Sequence, residues 1–229
     1  MVKKYIFLAG LFTTVSIASA QIVQKDLTVG LGFVKSEYNG DYGNGVFKFN
    51  GSWYPEFSLS LNKYISPTFD LGFQSSYGNY GYHVTNIEYF AGLKFDASVY
   101  LHYKFNNGSL LSEDSRFSPF LSLGAGLAAY SINSAIDFSK TNSSLAPTII
   151  VGKPDFIIPF GAVVTYQLNN SFSIQYQYLY NITSSDIHDQ DRGSIFPNPK
   201  SGNDAYGQHI VSIFFTISTL NKKCRCDTN

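Results

Sequence analysis

The sequence predicts an all-β fold, an eight-stranded antiparallel transmembrane β-barrel with short turns at one end and long loops at the other. Three observations predict it. Apolar and other residues alternate with a period of two in eight segments of roughly ten residues. Aromatic residues make up 17% of the chain and charged residues only 14%, whereas soluble domains carry roughly 25% charge. The chain also opens with the features of an export signal.

That signal occupies residues 1–20. Lys3 and Lys4 precede an apolar stretch from Tyr5 to Ile17, and Ala18-Ser19-Ala20 provides a small-residue cleavage site between Ala20 and Gln21. The stretch is short and carries Thr13, Thr14 and Ser16, which weighs against a membrane anchor. Beyond it no run of about 18 apolar residues exists, which excludes a helical membrane protein. Over the 229 residues, 16 Lys and Arg balance 16 Asp and Glu, so nothing suggests nucleic-acid binding.

The strands follow in order. Leu27, Val29, Leu31 and Phe33 share one face, as do Phe57, Leu59 and Leu61, then Phe69, Leu71 and Phe73. The longest alternation places Ala91, Leu93, Phe95, Ala97, Val99, Leu101, Tyr103 and Phe105 opposite Gly92, Lys94, Asp96, Ser98, Tyr100, His102 and Lys104. Four further segments carry Leu121 to Leu127, Phe160 to Tyr166, Phe172 to Tyr180 and Val211 to Ile217 at every second position. The intervening residues are mostly Gly, Ser, Thr and Gln, where a soluble β-sandwich would set Lys and Glu against water. Trp53, Tyr178 and Tyr180 near one rim, with Phe172 and Tyr103 near the other, match interfacial girdles.

Connections alternate in length. Tyr64–Pro67 and Asn169–Ser171 read as tight turns and Asn106–Arg116 as a moderate one. Asn39–Gly51, Asn79–Tyr89, Ile132–Asp155 and Ser184–Tyr206 read as long loops. Short periplasmic turns and long outer loops are the outer-membrane arrangement. In lipid every backbone polar group needs an internal partner, and only a closed sheet leaves no edge. The barrel is expected over residues 21–218, followed by a short periplasmic tail, 219–229.

The segment LKFDASVYLHYKFNNGSLLSEDSRFSPFLSLGAGL, residues 93–127, resembles the N-terminal barrel of OmpA-like outer-membrane proteins of Gram-negative bacteria. There a YKF-x-NG strand end leads into an acidic turn and then PFL-x-x-G-x-G. NITSSD, from Asn181 to Asp186, is similar too. The resemblance covers residues 27 to 218 and implies fold and outer-membrane location, with lipids and lipopolysaccharide as neighbours. It says little about activity, because one fold hosts many roles. Many such relatives continue into an Asp-rich calcium-binding linker and a peptidoglycan-binding domain. Here KKCRCDTN follows, with Asp227 its only acid, so no peptidoglycan-binding domain is expected in this chain.

Glu56, Asp70, Lys94 and Asp96 fall on the lumen-facing parity. Charges in a narrow lumen need partners, so the four are expected to form an ion-pair network that plugs the barrel; a pore-lining ring is the alternative. Among His83, His102, His188 and His209, His209 lies on the lipid-facing parity near the outer rim. With Ser184 or Ser185 and Asp186 it offers a triad of the kind an acyl-modifying lipid A enzyme uses. Ser is so abundant here that proximity by chance is the plainer reading. Cys224-x-Cys226 is a candidate for a disulfide or for metal ligation in an oxidising compartment. Two thiols alone do not complete a zinc site, and a tail without a function of its own is the competing reading. No phosphate loop or metal cluster is present in the sequence, so no cofactor is expected. The composite expectation is a non-enzymatic outer-membrane barrel with a structural or protein-interaction role, an accessory subunit of a larger outer-membrane complex being one form of it, with other outer-membrane proteins as candidate partners. A small pore ranks second and an acyl-modifying enzyme third.

Overall fold

The computed structural model describes residues 27–39, 53–84, 87–112, 115–136, 145–151, 154–169, 171–184 and 205–217. They form nine strands: β1 (Leu27–Asn39), β2 (Pro55–Tyr64), β3 (Phe69–Val84), β4 (Ile87–Lys104), β5 (Phe117–Ile136), β6 (Leu145–Val151), β7 (Asp155–Gln167), β8 (Phe172–Thr183) and β9 (Ala205–Ile217). All pairings are antiparallel, and among the described residues there is no helix.

Eight strands make the wall. β1 pairs with β2 on one side and β9 on the other, and the circuit closes through β3, β4, β5, β7 and β8. β6 stands outside this count. It pairs with the upper part of β5, Ser131 to Ile136, while β7 pairs with the lower part, Phe117 to Ala128. The eight-stranded antiparallel barrel read from the sequence is therefore the fold observed.

The register fixes the tilt of the wall. Successive partners of Val29 are Leu61, Phe73, Val99 and Ala125. Beyond β5 the same line passes Ile158, pairs it with Ile182, and continues through Ala205 to Asn39. One circuit thus climbs from residue 29 to residue 39 of the same strand. Such a shear inclines strands by about 40°, so each residue rises about 2.5 Å along the barrel axis.

Alternation along each strand sorts side chains between lipid and lumen. Leu31, Phe33, Phe57, Leu123 and Ile213 lie outside and are 58–67% exposed, whereas Val34, Glu56, Ser58, Ser122 and Ser212 are buried within. Rings line the lower rim in pairs, Phe69 against Tyr103 at 5.6 Å and Phe172 against Phe215 at 5.4 Å. Local chemistry sets the turns. Asn169 Oδ1 accepts the N–H groups of Ser171 and Phe172 at 2.8 and 2.9 Å, an Asx turn between β7 and β8. Gly108, at φ 81°, supplies the left-handed residue between β4 and β5.

Two expected loops are corrected. Asn79–Tyr89 is not a long loop: β3 continues to Val84 and β4 begins at Ile87. Ile132–Asp155 is not one either, because β5 runs to Ile136 and β6 returns along it. Above the lipid, outward positions no longer need to be apolar, so these strands lose the contrast that marks them in sequence.

Candidate functional site

The lumen is arranged in three layers, of which the upper two are filled. The upper layer is built around Lys94 on β4. Its Nζ lies 3.1 Å from Glu56 Oε2 on β2 and 3.1 Å from Asp96 Oδ2, two residues along β4, and donates to Ser36 Oγ at 2.7 Å. Lys94 and Glu56 are fully buried. Gln208 Nε2 donates to Asp96 at 3.0 Å, and Lys94 Nζ stands 4.2 Å from the centre of the Tyr206 ring. Three wall regions, β1–β2, β4 and β9, thus meet across the lumen through one ammonium group. Tyr38, Tyr80, Tyr82, Tyr130 and Tyr206 pack as a buried aromatic cluster in the same end of the barrel.

Of the four charged residues expected to share a network, the structure brings together Glu56, Lys94 and Asp96. Asp70 lies elsewhere. Asp96 faces Ser76 on β3, and Asp70 is six positions further down that strand, about 15 Å along the axis. Asp70 instead accepts a 2.7 Å bond from Lys104, whose Nζ also sits 4.2 Å from the centre of the Tyr64 ring. Parity alone could not separate the two levels.

The middle layer is an apolar contact among Val34, Tyr100, Leu179 and Ile210. Below it, towards the short turns, the lumen opens into a cavity of about 340 Å³ lined by Thr28, Asn62, Asp70, His102, Lys104 and Gln175 among others. His102 accepts or donates through Nδ1 to Ser122 Oγ at 2.8 Å, and its ring meets Phe120 edge-on at 5.0 Å. The sequence placed His102 on the lumen face without giving it a role; the signal for one was its position between the partner residues Asp70 and Ser122.

The candidate triad does not assemble among the described residues. His209 Nδ1 is bonded to Tyr176 Oη at 2.7 Å and pairs in register with Tyr178. Ser184 follows Thr183, six residues beyond Tyr178 on the adjacent strand, about 20 Å of extended chain, and its hydroxyl donates to Asp155. Ser185, Asp186 and His188 lie outside the described residues, as do Ala20, Gln21, Cys224 and Cys226. Among the described residues no group of three His, Cys, Asp or Glu side chains is placed to hold a metal ion.

A closed wall with an apolar exterior and a packed polar interior defines a transmembrane β-barrel. No protein-family model matches the sequence, and no curated protein sequence matches it. Solved structures match in fold. Neisserial surface protein A is similar at 13% identity, covering 85% of this chain and 100% of that one, with a TM-score of 0.54. The attachment invasion locus protein Ail of Yersinia pestis matches at 12% identity, over 85% of this chain and 100% of that one, with a TM-score of 0.49. The N-terminal β-barrel domain of Pseudomonas aeruginosa OprF matches at 14% identity over 83% and 97%, with a TM-score of 0.40. The fold assignment rests on the first. The chain is built as an eight-stranded barrel of the outer-membrane type, in keeping with the resemblance to OmpA-like barrels.

Proposed function

We propose that this chain is a non-enzymatic outer-membrane barrel with a structural or protein-interaction role, acting as an accessory subunit of a larger assembly. The observation that carries this reading is the occupied upper lumen. Lys94, Glu56, Tyr80 and Tyr206 are each 0% exposed, and a cross-lumen ion centre beneath a layer of tyrosines leaves the route between the two ends filled. Transport through the lumen is thereby disfavoured, and function falls to the outer surfaces. A second feature supports it: β3, β4, β5 and β6 continue as a sheet above the ends of β2 and β7, where lipid no longer demands a wall.

The test is purification of the native protein in mild detergent after cross-linking in intact cells, with the conductance of the isolated barrel measured in planar bilayers. A companion outer-membrane protein at fixed stoichiometry and no large steady conductance are expected. A steady open pore, or an isolated barrel without any companion, would overturn the proposal, as would altered lipid A acylation that tracks the presence of the protein.

A further inference from the structure

We propose that the lower lumen is a blind binding cup for a small, neutral, polyhydroxylated solute such as a sugar, entered from the turn end that faces the periplasm in barrels of this type. Its volume of about 340 Å³ sits at the small end of the roughly 300–1,000 Å³ range of ligand pockets. The cup is closed above. Phe120 and Phe214 are 7% and 2% exposed at its inner end, the apolar layer of Val34, Tyr100, Leu179 and Ile210 lies beyond them, and the Lys94 centre lies beyond that. A solute that enters has to leave by the same mouth, which is the geometry of a receptor site and not of a conduit.

The lining chemistry selects the ligand class. Hydroxyls of Thr28, Thr165 and Thr216 alternate with the amides of Asn62, Gln167 and Gln175, groups that both donate and accept. The amide of Gln175 is held in place, since its Oε1 accepts from Thr165 at 3.1 Å and its Nε2 donates to Gln177 at 3.1 Å. Among the described residues that line the cup the full cation is Lys104, which is neutralised by Asp70 at 2.7 Å and covered by the Tyr64 ring, so among them neither an anion nor a cation finds an uncompensated partner. Tyr64, Phe120 and Phe214 add apolar ring surface to the lining, which suits the C–H groups of a sugar.

His102 gives the cup a built polar anchor. It is 5% exposed. Its Nδ1 is engaged by Ser122 at 2.8 Å, while Nε2 lies over Gly72, in the space a Cβ there would take. With the Ser122 hydroxyl donating to Nδ1, the neutral ring carries its proton on Nε2, and His102 is among the residues that line the cup. This assignment does not depend on a companion protein, since the cup and the outer surfaces lie on different parts of the barrel.

The full chain, folded in lipid nanodiscs, is titrated with D-glucose by saturation-transfer NMR, with maltose as competitor and glucose 6-phosphate and glycine betaine as charged probes. Saturable glucose binding displaced by maltose is expected, with both charged probes weaker. Gln175→Leu and Gln167→Leu should each weaken glucose by about tenfold, the value of one or two lost hydrogen bonds. Gln167 is exposed at the mouth, so its replacement leaves a foldable barrel, and Glu56→Gln in the upper lumen should leave glucose binding unchanged. No saturable glucose signal, tighter binding of either charged probe, or parental affinity in a folded Gln167→Leu barrel would overturn the proposal.

Discussion

Removing the ammonium of Lys94 should cost far more than removing a carboxylate beside it. The centre holds one cation and two anions, with Lys94 Nζ 3.1 Å from both Glu56 and Asp96. At an effective dielectric of about 20, each contact is worth about 5 kcal/mol of Coulomb attraction, most of it offset by the desolvation of buried charge. Lys94→Met leaves two buried carboxylates with no cation between them and should destabilise the barrel by about 3–5 kcal/mol. Glu56→Gln leaves a neutral Lys94–Asp96 pair. It also removes a carboxylate whose second oxygen, Oε1, is buried without a hydrogen bond, so its cost should stay near 1 kcal/mol or below. The triple variant Glu56→Gln, Lys94→Met, Asp96→Asn should cost less than Lys94→Met alone. Reversible urea unfolding in lipid vesicles, followed by the mobility of folded and unfolded protein on gels, measures all three. Equal losses from Lys94→Met and Glu56→Gln, or a triple-variant loss equal to the sum of the singles, would refute the charge-count reasoning.

Leu123, 60% exposed on the lipid face of β5, lies midway up the wall, so Leu123→Arg should cost about 2–4 kcal/mol in the same assay, against about 0–1 for Phe172→Arg at the lower rim. A Cβ at Gly161 would meet the backbone carbonyl of Tyr178, while one at Gly207 would meet the far end of the Tyr178 side chain, its hydroxyl at 2.8 Å being nearest. Gly161→Ala should therefore cost at least about 1–3 kcal/mol and Gly207→Ala little, a ranking that a single denaturation series decides. Asn169→Ala removes the acceptor of two turn N–H groups and should lose about 1–2 kcal/mol, visible as a slower-folding, less stable barrel.

The wall was readable from sequence because lipid imposes a strict contrast: Leu31 and Phe33 must face outward while Gly32 and Val34 face in. The same rule explains what was hidden. Around Tyr80-Gly81-Tyr82 the tyrosines turn inward and become fully buried, so the strand persists while its outer face carries no apolar signature. Levels within the lumen were hidden for a different reason. Parity tells which way Asp70 points, but whether it reaches Lys94 depends on the shear between strands, and that offset is a property of the closed sheet. His102 shows the reverse case, a residue whose facing was legible and whose Ser122 partner appears only once β4 and β5 are set in register.

The pairing of β1 with β9 has a consequence for how this chain reaches its final state. Its register joins Leu27 to Ile217 and Asn39 to Ala205, so the strands nearest the two ends of the wall zip together along their whole length. A loop of about 190 residues costs about 4.7 kcal/mol of chain entropy to close on the logarithmic law, and nothing local offsets it in advance. Until β9 arrives, β1 and β8 each present a ladder of unpaired backbone groups, every one costing several kcal/mol in hydrocarbon. Partly zipped intermediates are therefore poor residents of the bilayer. Insertion and ring closure become one cooperative event, and its rate is governed by how soon the last strand to be synthesised finds the first.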